Sequence, residues 1–199
     1  MPRGFTPQEM EIIRKKLMDA GRVCLEKYGI RKTNVEDLTD AAGISKGAFY
    51  KFFDSKEALL FEVLERFEDE YRLELKNRMD DFQGDTAKEQ VRSLISESFK
   101  LYWQDPLFQF LNPQEYELLL RKLPPDVVKE HLASDDVFVS ELVTMWKQRG
   151  IHIRKDALHV SALIKSLFYT SLHAEEIGPA FPTAFETLID LVADHLVED

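Results

Sequence analysis

The sequence predicts an all-α fold, and three observations carry that expectation. Helix formers dominate, with only eight glycines and eight prolines among 199 residues. No stretch alternates apolar and polar residues in the manner of a half-buried strand. Apolar residues instead recur at steps of three and four, in segments that open on Ser, Thr, Asn or Asp and close at Gly or Pro. The expected layout is a three-helix N-terminal head carrying a helix-turn-helix (residues 1–55) on a helical C-terminal body (residues 56–199), with about nine or ten helices in all.

The first helix is expected from Thr6 or Pro7 to Tyr28. Met10, Ile13, Leu17, Ala20, Cys24 and Tyr28 form one apolar stripe, and Gly29 is placed to stop it. Asn34 caps a short helix, Val35 to Ala42, with Asp37 as its third residue in a variant of the capping box. Gly43 ends it. Ser45 caps a helix from Lys46 to Phe52. Ser55 caps one that opens with Lys56-Glu57 and continues to Arg78 on the spacing Leu60, Val63, Leu64, Phe67, Tyr71. Gln83-Gly84-Asp85 breaks the chain. The body resumes with Thr86 to Trp103, a short helix from Pro106 to Leu111, and Pro113 to Lys122 behind an Asn112 cap. Pro124-Pro125 is a further break. Helices are then expected over Asp126 to Leu132, Asp135 to Arg149, Asp156 to Glu176 and Phe181 to Val197, separated at Gly150 and Gly178-Pro179.

Composition narrows the classes. Apolar residues make up 44% and charged residues 31%, an ordinary globular balance. No apolar run approaches the roughly 18 residues that span a bilayer. The first ten residues hold no apolar stretch, so no secretory leader and no membrane partner are expected, and the expected location is cytoplasmic. The single cysteine, Cys24, rules out an internal disulfide and reads as a small core residue. The net charge of −10 is unevenly spread. Residues 1–60 carry 11 basic and 9 acidic side chains, whereas residues 61–199 carry 15 and 27. This pattern fits a phosphate-facing head on an acidic body.

The stretch Thr33 to Leu60 carries the functional signal. Two short helices joined by Ala42-Gly43-Ile44-Ser45 form a helix-turn-helix, with Val35, Leu38, Ala42, Ile44, Phe49 and Phe53 spaced for its small core. The second helix would expose Lys46, Gly47, Ala48, Tyr50 and Lys51. Gly47 costs a helix interior about 1 kcal/mol relative to alanine, and its bare backbone admits close approach by another molecule. Ala48 suits a thymine methyl, and Lys46 suits guanine acceptors or phosphate. Tyr50 and Lys51 suit phosphate oxygens. The helix starts behind Asn34 and Ser55 offer amides to anions, with Lys56 adding charge and Thr33 a hydroxyl.

This run resembles the DNA-binding region of TetR/AcrR-type transcriptional regulators. The resemblance rests on Thr33, Val35, Asp37, Leu38, Ala42, Gly43, Ile44, Ser45, Gly47, Phe49, Tyr50, Phe53, Ser55, Lys56, Glu57 and Leu59 in unbroken order. Thr39 stands where an alanine is usual, and Phe52 where a histidine or tyrosine is usual. Phe52 cannot donate a hydrogen bond to phosphate. The resemblance covers about residues 8–70. It implies a homodimer whose heads read successive major grooves of a palindromic double-stranded DNA operator, released when a small-molecule effector enters the body. It assigns DNA contact to Thr33, Ser45, Lys46, Gly47, Ala48, Tyr50, Lys51 and Lys56.

The body is rich in aromatics: Phe99, Tyr102, Trp103, Phe108, Phe110, Tyr116, Phe138, Trp146, Phe168 and Tyr169. Each suits core packing. Trp103, Phe108, Phe110, Tyr116, Trp146 and Phe168 are also the candidates to line an apolar pocket for a hydrophobic, lipid-like or aromatic effector, cationic if the acidic body selects it. The dimer interface is expected on the last two helices, through Val160, Leu163, Ile164 and Leu167 on one and Phe185, Leu188, Ile189, Val192 and Leu196 on the other. His131, His152, His159, His173 and His195 make no ligand spacing, so no metal site is expected. No phosphate-cradling loop, no G-x-S-x-G and no Ser-His-Asp set occurs, so neither an enzyme nor a bound cofactor is expected. A ligand-responsive repressor is the leading reading. The alternatives are an activator or effector-independent regulator of the same family, and a helical small-molecule-binding protein or enzyme with a vestigial helix-turn-helix.

Overall fold

The computed structural model describes residues 5–79, 84–110 and 113–198, without the side chains of residues 109 and 110. Among the described residues the fold is all-α, with one isolated antiparallel bridge between Ile153 and Val197. The helices are α1 (Pro7–Lys32), α2 (Val35–Ala42), α3 (Lys46–Phe49), α4 (Lys56–Asn77), α5 (Ala87–Gln104) and α6 (Pro106–Phe110). They continue as α7 (Pro113–Arg121), α8 (Pro125–Gln148), α9 (Ala157–Leu172), α10 (Ala174–Ile177) and α11 (Phe181–Leu196). Two compact units result: Met1–Asp69 with Asp105–Leu123, and Glu70–Gln104 with Pro124–Asp199.

In the first unit, α1 begins at a reciprocal capping box. Thr6 Oγ1 accepts from the Glu9 amide at 3.3 Å, and Glu9 Oε2 accepts from the Thr6 amide at 2.7 Å. Leu17, Ala20 and Cys24 bury the middle of the α1 stripe, while Met10 and Tyr28 at its ends are exposed. Burial pushes the Cys24 thiol up, as for an unreactive core residue. Gly29 does break the regular helix (φ 70°, ψ −175°), although the chain makes one further turn to Lys32. Gly21 has a different task. A Cβ there would lie 2.4 Å from Leu59 Cδ2, so α1 and α4 approach through a missing side chain. Leu25, Ile30, Leu38, Phe49, Leu59, Leu60, Leu107 and Leu119 complete a core with almost no exposure.

The second unit packs α5 and α9 against α11, and α8 against α9. Its core includes Leu94, Phe99, Val143, Trp146, Val160, Phe185, Ile189 and Leu196. A polar knot joins α8 to α9: Asp136 Oδ1 accepts from Ser161 Oγ at 2.5 Å and from Lys165 Nζ at 2.7 Å, which hold its carboxyl below the usual range. Arg92 of α5 pairs with Glu186 and Asp190 of α11.

The helices depart from expectation in three places. The break expected at Leu132–Asp135 is absent, because the Ser134 hydroxyl donates to the His131 carbonyl at 2.7 Å instead of capping a new helix. The helix expected to reach Glu176 instead ends at Leu172, and α10 follows as a single turn. The helix expected from Lys46 to Phe52, α3, stops at Phe49, three residues short. The expected Asn112 cap and the Gln83 of the expected break lie outside the described residues.

Candidate nucleic-acid interface

The helix-turn-helix is built from local caps. Asn34 Oδ1 accepts from the Asp37 amide at 2.8 Å to start α2, and Gly43 ends it in the left-handed conformation (φ 72°, ψ 36°). Ser45 Oγ accepts from the Ala48 amide at 3.3 Å to start α3. Phe49 is wholly buried beneath α3, with Leu38, Ala42 and Phe53 also buried, while Val35 and Ile44 are half-buried at the margin. Because the inner face is fixed by Phe49, the outer face must carry Ser45, Lys46, Gly47 and Tyr50, all of them exposed.

Several features tune this face. Lys46 Nζ donates to Glu36 Oε1 of α2 at 2.5 Å. That bond holds the Lys46 ammonium above, and the Glu36 carboxyl below, their ordinary ranges. Gly47 has open space where a Cβ would be and no unusual backbone angle. Among the described residues nothing therefore requires a glycine here. The Tyr50 ring stands edge-on to Phe49, with centroids 5.4 Å apart. Phe52 meets Phe5 at 5.9 Å, and Lys51 Nζ lies 5.7 Å from the centre of the Phe5 ring. Residue 52 thus packs Phe5 beside α3, a use for an aromatic without a polar atom. Arg14 fixes the following turn: its guanidinium donates to the Phe52 carbonyl at 3.3 Å, lies 4.6 Å from the Phe53 ring centre and pairs with Glu62.

Two motif residues sit differently from what the resemblance implies. Thr33 is buried, and its hydroxyl donates to the Gly29 carbonyl at 2.7 Å. Lys56 Nζ donates to the carbonyls of Thr33 at 2.6 Å and Ile30 at 2.9 Å, and reaches that of Arg31 at 3.5 Å. Both side chains secure the end of α1. Lys46, Gly47, Ala48, Tyr50 and Lys51 stay together around the surface of α3. Reading the sequence overlooked Glu36 and Arg14. An acid on α2 facing a lysine on α3 leaves a trace in the sequence as opposite charges on outward positions of one hairpin, whereas Arg14 leaves none.

The candidate effector residues divide between the units. In the second, Trp103 is 38% exposed and packs against Phe99, Phe181 and Phe185, while Tyr102 stands edge-on to both Tyr71 and Phe168. Trp146 is buried beside a void of about 10 Å³, room for at most one water. In the first, Phe108 meets Phe67 edge-on and Tyr116 is buried. The Phe110 side chain lies outside the described residues. An open cleft of about 470 Å³ between α1 and α4 has charged walls, including Glu11, Lys15 and Glu62.

The apolar residues expected between protomers also separate. Val160, Leu167, Phe185, Ile189 and Leu196 belong to the chain's own core, with Leu163, Ile164 and Val192 packed partly against it. Leu188 is 39% exposed, and Leu158 of α9 at 69% and Leu191 of α11 at 61% are exposed as well. The two helices are apolar on more than one side, so periodicity alone does not say which side faces inward. Among the described residues no helix is long and apolar enough to cross a membrane, and no group of three His, Cys, Asp or Glu is placed to hold a metal.

An all-helical chain with this capped hairpin and bare outer face belongs to the helix-turn-helix class. Residues 17–63 match the family model described as "Bacterial regulatory proteins, tetR family". Over 57 residues the chain is 42% identical to the HTH-type transcriptional repressor KstR2 of Rhodococcus jostii, covering 29% of this chain and 28% of that repressor. Over 74 residues it is 36% identical to the HTH-type transcriptional regulator YerO of Bacillus subtilis, covering 37% of this chain and 26% of that one. These matches span between a quarter and a third of the relatives' lengths. A TetR-family regulator from Pectobacterium atrosepticum superposes with a TM-score of 0.68 at 21% identity, covering 94% of both chains. FadR from Bacillus subtilis, solved in complex with stearoyl-CoA, gives 0.64 at 18% identity, covering 91% of this chain and 98% of that one. Residues 17–63 carry that family's N-terminal domain, and the chain shares the all-α fold of these solved structures.

Proposed function

We propose that this protein is a transcriptional regulator, a repressor, that binds a palindromic double-stranded DNA operator as a homodimer. The observation that carries the reading is Gly47, a glycine at the centre of an exposed helix face for which the described residues give no steric or conformational reason. A duplex pressed against that face supplies the reason. Lys46, Ala48, Tyr50 and Lys51 surround it with groups suited to base edges and phosphates. The second copy is taken to pack on the outward face of α9 and α11, through Leu158, Leu188 and Leu191.

The effector in this reading is small and apolar or aromatic. The partly exposed Trp103 ring on its cluster of phenylalanines supports it, and so does the acyl ligand of FadR. The test is selection of duplexes from a random-sequence pool by the full chain, followed by anisotropy titration at two salt concentrations. Enrichment of an inverted repeat, with affinity falling steeply as salt rises, is expected. A pool that stays random after repeated rounds overturns the reading.

A further inference from the structure

The joint between α1 and the hairpin is held by charges from two other helices. At Gly29 the backbone turns into the left-handed region (φ 70°), which takes the next amides out of the regular helical ladder. Two of them find one acceptor. Glu115 Oε2, on α7, accepts from the Ile30 amide at 2.7 Å and from the Arg31 amide at 3.1 Å. Its other oxygen pairs with Arg31 Nε at 3.1 Å, and the Glu115 side chain is only 13% exposed. The carbonyls of the same joint face the opposite charge, the Lys56 ammonium of α4. An anion on the amides and a cation on the carbonyls fix this short segment from both sides. A Cβ at residue 29 would stand in ordinary contact with Glu115 Oε2, at 3.4 Å, so it is the backbone angle that calls for glycine here. Val35, two residues beyond this joint, begins α2, and α2 sets the position of α3.

We propose that Glu115 is a positioning residue for DNA reading: it fixes the angle at which the hairpin leaves α1, although it lies far outside the helix-turn-helix. The inference rests on the regulator reading above. Removing the acceptor shared by the part-buried Ile30 amide and the exposed Arg31 amide releases the joint. Contacts that need α3 in one pose then weaken, while contacts to phosphate in general do not.

The test uses the full chain as wild type, Glu115→Ala and Glu115→Gln. The probes are the duplex enriched by the wild type from a random pool and a scrambled duplex of equal length and composition. Hydrogen exchange at the amides of Ile30 and Arg31 is followed alongside. In Glu115→Ala both amides should lose protection, and affinity for the enriched duplex should fall roughly ten- to a hundred-fold. Affinity for the scrambled duplex should stay within about two-fold. Glu115→Gln should restore protection and affinity, because its amide oxygen can accept both N–H groups and only the exposed Arg31 pair is lost. Full binding of the enriched duplex by Glu115→Ala overturns the inference, as does an equal loss on both duplexes in both variants. If the wild type enriches no duplex, the regulator reading fails on its own. Exchange then still decides the structural half: unchanged protection in Glu115→Ala overturns it, and lost protection rescued by glutamine supports it.

Discussion

Replacing Gly47 with alanine separates the demands of folding from those of binding. The new methyl enters open space, at a backbone angle that alanine adopts freely. Substituting alanine at such a site gains about 0.4–1 kcal/mol, mainly by restricting the unfolded chain. For a chain of this size each kcal/mol is worth about 2–4 °C in melting temperature, so a rise of about 1–4 °C is expected. The interface should respond in the opposite direction. Carbon atoms pack at about 3.5–4 Å, so a methyl between α3 and a groove wall holds the helix away from the base edges. Each well-formed side-chain contact to a base is worth about 1–3 kcal/mol, so losing one lowers affinity roughly ten-fold or more. Calorimetry gives the first quantity, and anisotropy on the enriched duplex gives the second. A stabilised variant that binds that duplex like the wild type would refute a DNA-facing role for the glycine. A destabilised variant would refute the description of its surroundings.

Three further outcomes follow from other sites. Leu188→Glu with Leu191→Glu should turn a dimer into a helical monomer by sedimentation, since both side chains point outward, whereas Phe185→Ala should cost about 3–5 kcal/mol in urea unfolding because Phe185 is core. Lys56→Met should cost about 2 kcal/mol of stability through its part-buried carbonyl contacts and leave the salt dependence of DNA binding unchanged; a slope lowered by about one unit would instead make Lys56 a phosphate contact. Burial holds the His131 imidazole below its ordinary value, with Arg72 and Lys165 acting in the same direction against Asp135. Below about pH 6.5 the unfolded chain therefore takes up a proton that the folded chain refuses. Stability should fall there by up to about 1.4 kcal/mol per pH unit until the folded value is reached, and His131→Gln should remove that component from urea midpoints compared across the range.

The parts of the protein legible in its sequence are those fixed by neighbours along the chain. Asn34, Ser45, Ser55 and Asp156 cap the helices they precede, and each accepts from an amide three residues on. Gly43 makes the turn that only a residue without a side chain adopts readily. What was not legible depends on distant partners. Nothing near Glu115 announces Ile30, and nothing near Asp105 announces Arg22, which it meets at 2.9 Å. Those two contacts help place α6 and α7 in the same compact unit as α1, a grouping no local pattern encodes. Ser134 has two competing uses, as a cap or as a donor to its own helix, and sequence does not choose between them. Thr33 and Lys56 carry polar groups that suit phosphate and also suit a frayed helix end, and the structure spends both on the end of α1.

Gly21 has a mechanical consequence. With no side chain there as a spacer, Leu59 meshes with α1 like a tooth in a gear. Rolling the first turns of α4 toward α1 would press Leu59 into that helix, and a close-packed contact resists compression. A bulkier residue at position 21 would insert a loose washer into that linkage.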